Sequence, residues 1–258
     1  MFKTLLFAIL WTLSRVDALK PRAPSQASIN ARQSCTVYAK GDKQDDVPQI
    51  IDAFNKCGQG GRIIFPEDQV YWINSKLNPI VNDVVIEWRG LWQYSDDIQA
   101  WGNKSYHIEF QNHYAGFVLT GDGIHIDGYG TGGINGNGDV WYTADKGFTQ
   151  PGRPMPFVFW NVSDVTVSRF YIKQPQLWSL NIMNGTNMAF DQIYCNATAT
   201  KAPWGKNWVQ NTDGFDTMGA KNIWLENFIY QGGDVCLSHL SLSLSLSIKS
   251  MSAVSRPR

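Results

Sequence analysis

Acidic side chains at two points of the chain have the types and spacing for chemistry. Asn211-Thr212-Asp213-Gly214-Phe215-Asp216 precedes one short strand-like run, and Gly232-Gly233-Asp234 follows it, so that Asp213 and Asp234 lie 21 positions apart. If the chain winds once in about that length, both carboxylates come to one face, because adjacent strands stack about 4.7–4.9 Å apart. Two acids in a groove can split a glycosidic bond, one protonating the departing oxygen while the other activates water or attacks the sugar. Their mutual repulsion raises one pKa and supplies the protonated member. The competing reading is that these residues are Asx turns, which strand-rich coils use freely.

The segments that must position these acids repeat. Ile124-His125-Ile126, Val165-Thr166-Val167, Met188-Ala189-Phe190 and Ile223-Trp224-Leu225 alternate in character, each preceded by Gly, Asp or Asn. Asp164, Asn187 and Asn222 begin three longer copies, 23 and then 35 positions apart, and the second interval contains the loop 198–210. A period in the low twenties with insertions confined to turns is a solenoid signature. The 18 Asn and 23 Gly suit tight turns. The expected fold is all-β, a parallel β-helix; a β-sandwich, whose strands recur every 8–12 residues or so, is the alternative. One helix is expected ahead of the strands. Val47, Ile50, Ile51, Phe54 and Cys57 form one apolar stripe, with Asp46 as cap, Pro48 in the first turn and Gly58 at the end. Strands are expected at 63–66 and 70–73, and no second amphipathic helix of similar quality follows.

Other motifs carry less. Gly128-Tyr-Gly130-Thr-Gly132-Gly133 formally matches a dinucleotide fingerprint, but Ile134-Asn-Gly-Asn-Gly138 is not expected to open a helix, so it reads as a glycine-rich turn. His107, His113 and His125 lack helical metal spacing and suit ordinary polar roles. No metal and no cofactor is expected.

Composition sets the class. The 22 basic and 22 acidic residues leave no net field for nucleic acid or an anionic membrane. Residues 19–234 hold 17 basic and 21 acidic residues, a net of −4. Lys3, the apolar run Leu5–Leu13 and the small residues near Ala18 read as a secretory signal peptide over 1–18. Four acceptor sequons, at Asn103, Asn161, Asn184 and Asn196, agree with export and a glycosylated, extracellular protein. In that compartment Cys35, Cys57, Cys195 and Cys236 allow three pairings, of which Cys35 with Cys57 is favoured because they bracket one local unit.

With Asn211–Asp216, Gly232–Asp234, Gly128–Gly138 followed by Trp141-Tyr142, and Gly60–Pro66 after the helix, the chain from about Cys35 to Asp234 resembles glycoside hydrolase family 28, the polygalacturonases. The likeness is closest to the fungal exo-acting branch, the galacturan 1,4-alpha-galacturonidases. It implies a right-handed parallel β-helix, a polysaccharide substrate such as pectin or an oligogalacturonate, and inverting hydrolysis of alpha-1,4-linked galacturonic acid without a metal. Carried over by position, Asp213 matches an aspartate that helps activate water, Asp234 the general acid, and Asn211 a residue contacting substrate. Two departures stand out. The family has two consecutive aspartates before a cysteine where this chain reads Asp234-Val235-Cys236, and its Gly-His-Gly and Arg-Ile-Lys segments have no counterpart.

The expectation is therefore a monomeric, secreted exo-hydrolase of polygalacturonate, C-terminally truncated, with an incomplete site and impaired turnover. The rivals are a catalytically dead pectin-binding β-helix and a rhamnogalacturonan hydrolase. In a binder, Trp141, Tyr142, Trp178, Trp204 and Trp208 could line the groove. The organisation expected is a partial β-helix over 19–234 and an aberrant tail over 235–258. In that tail the alternation Leu240–Ser247 reads either as a strand with one apolar face or as translated intron, since valine codons begin with GT.

Overall fold

The computed structural model describes residues 19–148, 152–240 and 246–254, with the backbone alone at 239–240 and 246–254. The signal segment expected over 1–18 and residues 241–245 of the Leu-Ser alternation lie outside the described residues.

Thirteen strands form one sheet in which every pairing is parallel. The strands Phe157–Lys173, Leu180–Asn196 and Lys221–Gln231 lie side by side, with Val165 opposite Met188 and Met188 opposite Ile223. These registers reproduce the 23- and 35-residue repeat, and parallel neighbours joined by crossovers make a β-helix and exclude the antiparallel sandwich. The registers continue into Leu237–Leu240 beside Phe215–Met218, and into Leu246–Val254 beside Lys221–Gln231.

The strands are longer than the three-residue runs visible in the sequence because each bends at its polar residues without leaving the ladder. The bends use left-handed backbone. Asp83, Gly123, Asp164, Asn187 and Asn222 occupy one column through the stack, all with φ between 50° and 63°. Asn and Asp tolerate this conformation because their short side chains bond locally, and Gly has no Cβ to clash. The side chains also bond along the column, Asn187 Nδ2 donating to Asp164 Oδ1 at 3.3 Å and Asn222 Nδ2 to Asn187 Oδ1 at 2.8 Å.

Between these corners, alternate residues point inward. Phe65, Trp88, Trp92, Phe117, Phe157 and Phe170 fill the N-terminal coils, with Phe117 and Phe157 stacked at 4.7 Å, and Phe190, Phe215 and Phe228 continue the core. A second cluster lies on the outer face. There Val158, Met183, Leu177 and Trp178 are covered by a small sheet of Tyr106–Ile108, His113–Ala115 and Pro154–Met155.

The helix Val47–Cys57 packs Val47, Ile50, Ala53, Phe54 and Cys57 against the first coils, and a disulfide joins Cys57 to Cys35. Asp46 does not cap it as expected. Its own backbone is right-handed, and its carboxylate accepts from the backbone N–H of Lys40 and of Trp72, tying the helix to the preceding loop and to the strand Val70–Ile73 instead. Gly58 ends the helix with ordinary negative φ; it must be glycine because a Cβ would stand 2.3 Å from the Phe54 carbonyl oxygen.

The glycine-rich segment also needs a correction. Gly128–Gly132 is a turn, as expected, but a helix does follow at Gly138–Asp145, opened by Asn137 in the left-handed region. The strand Gly133–Asn135 intervenes, so no glycine of the fingerprint opens that helix. The glycines serve close packing: a Cβ at Gly132 would sit 1.4 Å from the Trp88 carbonyl oxygen. Short helices also span Gln26–Asn30 and Ile98–Lys104.

Candidate active site

The turn Asn211–Gly214 leads into the strand Phe215–Met218, and the turn Gly232–Cys236 leads into Leu237–Leu240 one coil on. Phe215 faces Leu237, and Gly214 N–H donates to the Val235 carbonyl at 2.9 Å. The coil here is thus 22 residues long. Carried back two residues from Phe215 and Leu237, that register sets Val235 opposite Asp213 and Asp234 diagonal to it.

Both turns are braced from below. Tyr230, almost wholly buried, donates through its hydroxyl to the Thr212 carbonyl at 3.1 Å and accepts from the Asp234 N–H at 3.3 Å. Asp234 Oδ2 accepts from the Asn211 N–H, and Asp234 Oδ1 from the Val235 N–H at 3.0 Å. Thr212 donates through Oγ1 to the Val209 carbonyl at 2.6 Å, and Ser179 N–H donates to the Asp213 carbonyl at 2.8 Å. Asn211, with φ of 55°, thus contributes its backbone N–H to hold Asp234.

Asp213 is 7% exposed. Burial, and then the charge of Asp234, push its pKa up to about 6. A third carboxyl stands close by that sequence reasoning did not single out. Asp216, on the strand after Asp213, is 2% exposed, and its pKa is pushed up to about 8 by burial and then by Asp213, against a smaller opposing effect of the Ser238 hydroxyl. Phe215 points into the core, so alternation turns Asp216 to the outer face, in a column with Asn181 and Ser238. That signal was present in the motif. A buried cation, Arg153, was not foreseeable from spacing. Its Nε donates to the Gln176 carbonyl at 2.6 Å and its Nη2 to the Gln210 carbonyl at 2.9 Å, fixing the chain just ahead of Asn211. Burial pulls its pKa down, and Tyr142, Asp145 and Asp234 oppose that.

A cleft of about 450 Å³ opens beside these turns, between the loop 197–209 and Gln231–Asp234. Asp234 lines it together with Trp204, Lys206, Asn207 and Trp208. Trp204 is 85% exposed. Of the aromatics expected in a sugar groove, Trp141 and Tyr142 are instead buried in the core, and Trp178 packs in the outer cluster against His113. Large rings fill the coils unless a loop carries them outward. His107 and His125 bond to Asn112 and Thr166, at 2.7 and 2.9 Å.

Three of the four sequons lie apart from this cleft's lining, and the fourth, Asn196-Ala197-Thr198, lends it Ala197 and Thr198. Asn103 is exposed on the helix Ile98–Lys104. Asn161 and Asn184 are exposed at stacked corners, and Asn196 is half-buried and donates to Tyr194 and Gln231.

Coiled parallel strands with paired carboxylates beside a cleft match a known family along most of their length: the profile of glycosyl hydrolases family 28 fits residues 70–254. The chain belongs to that family. A relative from Aspergillus niger named as a galacturan 1,4-alpha-galacturonidase C is 64% identical over 222 residues, covering 86% of this chain and 52% of the relative. A relative of the same name from Neosartorya fischeri is 55% identical over 226 residues, covering 85% and 52%. Among solved structures, endo-xylogalacturonan hydrolase from Aspergillus tubingensis superposes with a TM-score of 0.73 at 25% identity, over 85% of this chain and 57% of that one. The β-helix is right-handed, as in these hydrolases. The chain spans about half the length of the curated relatives it matches.

Proposed function

We propose that the chain acts on pectin, releasing galacturonate from the end of alpha-1,4-linked polygalacturonate by inverting acid/base hydrolysis, and that it does so with impaired turnover. The observation that carries this reading is the pairing of Asp213 and Asp234 on adjoining turns beside a cleft, in a chain 64% identical to a relative bearing a galacturonidase name. Asp213, with a pKa near 6, accepts the proton of the attacking water, because a base poised near the working pH is both available and strong enough. Asp234, at the cleft, protonates the departing glycosidic oxygen. Asn211 contacts substrate and locks Asp234 through its backbone N–H.

Impairment follows from Val235. The register of Phe215 beside Leu237, carried back two residues, sets it opposite Asp213, and it is 46% exposed, so the place where the family resemblance implies a second aspartate is apolar. That observation also supports the second reading, a protein that binds pectin without turnover.

One experiment separates the readings. Purified 258-residue chain is incubated with a reduced-end-labelled oligogalacturonate, while binding is followed calorimetrically and products by proton NMR. The expected result is micromolar-to-millimolar binding with slow release of galacturonate first seen in the β configuration. Binding without any product establishes the non-catalytic reading, and rapid release from a rhamnogalacturonan oligosaccharide instead would reassign the substrate.

A further inference from the structure

We infer that the loop 198–210 is a uronate-recognition subsite, in which Trp204 carries the sugar ring and Lys206 pairs with the sugar carboxylate. This rests on the proposed action on pectin and names the residues that select its acidic sugar.

The loop is one of the places where the repeat lengthens. Adjacent coils are 23 residues apart between Val165 and Met188 but 35 between Met188 and Ile223, and the extra length falls here. It is held at several points. Thr200 N–H donates to Asp139 Oδ1 at 2.8 Å, and Asn207 Nδ2 donates to the Gly233 carbonyl at 2.7 Å. Lys206 N–H closes a turn onto the Pro203 carbonyl at 3.0 Å. A braced loop that nevertheless keeps an indole 85% exposed presents a surface rather than filling one.

The chemistry of the cleft selects the ligand. An indole face accepts the C–H face of a pyranose, and an ammonium accepts a carboxylate as a charge-assisted pair. The cleft, at about 450 Å³, falls in the range of small-ligand sites, and Asp234 lines it, so a sugar held by Trp204 shares the cleft with the proposed proton donor. The residues 19–234 carry a net charge of −4, so attraction to a polyanion must come from a local cation. Lys206 is the cation lining this cleft.

The test is a calorimetric titration of the unaltered chain, Lys206→Met, Trp204→Ala and the control Lys146→Met, an exposed lysine outside the cleft. The ligands are trigalacturonate, a neutral galacto-oligosaccharide of equal length, and oligoglutamate. Both cleft side chains are exposed, and circular dichroism checks that each variant is folded. The expected result is at least about tenfold weaker trigalacturonate binding for each cleft variant, no change for Lys146→Met, and loss in Lys206→Met of the preference for charged over neutral sugar. Unchanged binding by both cleft variants overturns the subsite while leaving action on pectin intact. Equal binding of oligoglutamate overturns the uronate assignment. Failure of the unaltered chain to bind any galacturonate oligomer overturns the reading of function itself, and the subsite with it.

Discussion

At the scale of single residues, the site is a question of where three carboxyls and one valine fall in a 22-residue coil. By the register of Phe215 on Leu237, Val235 falls opposite Asp213. If the valine at that position is what limits turnover, Val235→Asp raises kcat on trigalacturonate by about 10- to 1,000-fold, since one acid/base contribution is commonly about 10²–10⁴-fold. No gain in a folded variant would place the impairment elsewhere. Asp216 yields a different prediction. Its folded pKa, near 8, lies above the ordinary carboxylate value, so the native state holds a proton that the unfolded chain gives up. Stability from this group is therefore full below about pH 4 and is lost as pH rises toward 8. Asp213, shifted to about 6, adds to the same slope. Asp216→Asn mimics the protonated acid and should remove the loss, stabilising the chain at pH 8 by on the order of a few kcal/mol and changing it little at pH 4. Urea melts at the two pH values read this directly; an equal effect at both would mean that Asp216 is not the proton holder. Asp213 and Asp234 were legible as a pair from their spacing, and Asn211 from resemblance. Asp216 was overlooked although it lies in the same motif, because its role depends on burial that spacing does not report.

Among the elements, the corners set the register. Asn187 adopts φ of 55°, bonds to Asp164, and accepts from Asn222. Asn187→Ala should cost about 1–3 kcal/mol in denaturant unfolding, from left-handed strain and the lost column bonds, and Asn187→Gly less, since glycine relieves the strain. Similar losses for both would assign the cost to the bonds alone. The corners also bear on modification. Asn184 Nδ2 donates to Asn161 Oδ1 at 3.2 Å, and both are acceptor sequons on adjoining coils. Glycans at both would crowd side chains one strand spacing apart, about 4.8 Å. Glycopeptide mass spectrometry of eukaryotically expressed protein should find them singly occupied; abundant double occupancy refutes the crowding. The repeat itself was readable because alternation and the Asn/Asp corners are both written locally. The helix at Gly138–Asp145 was not, because it begins at a glycine and takes its support from packing of Trp141 and Tyr142 against the coils. The Asp46 cap failed for a related reason: the Lys40 N–H in the loop before it and the Trp72 N–H on a strand further along the chain took its carboxylate in place of the helix donors.

For the whole molecule, the helix Val47–Cys57 and its disulfide close one end of the stack. Among the described residues no helix is long and apolar enough to cross a membrane. If the leader is cut as its sequence suggests, the product secreted from a eukaryotic host should begin near Leu19 and should shift in mass on deglycosylation. N-terminal sequencing that returns Met1, with no mass shift, would contradict both. The jump from a 23- to a 35-residue interval has a longer consequence. Because the corner columns keep neighbouring strands aligned on either side of it, the intervening loop can grow, shrink or change composition between its ties to Asp139 and Gly233 without disturbing the stack. The scaffold is therefore free to be inherited almost unchanged while the loop diverges, so that a lineage of such chains can explore new polysaccharides one cassette at a time.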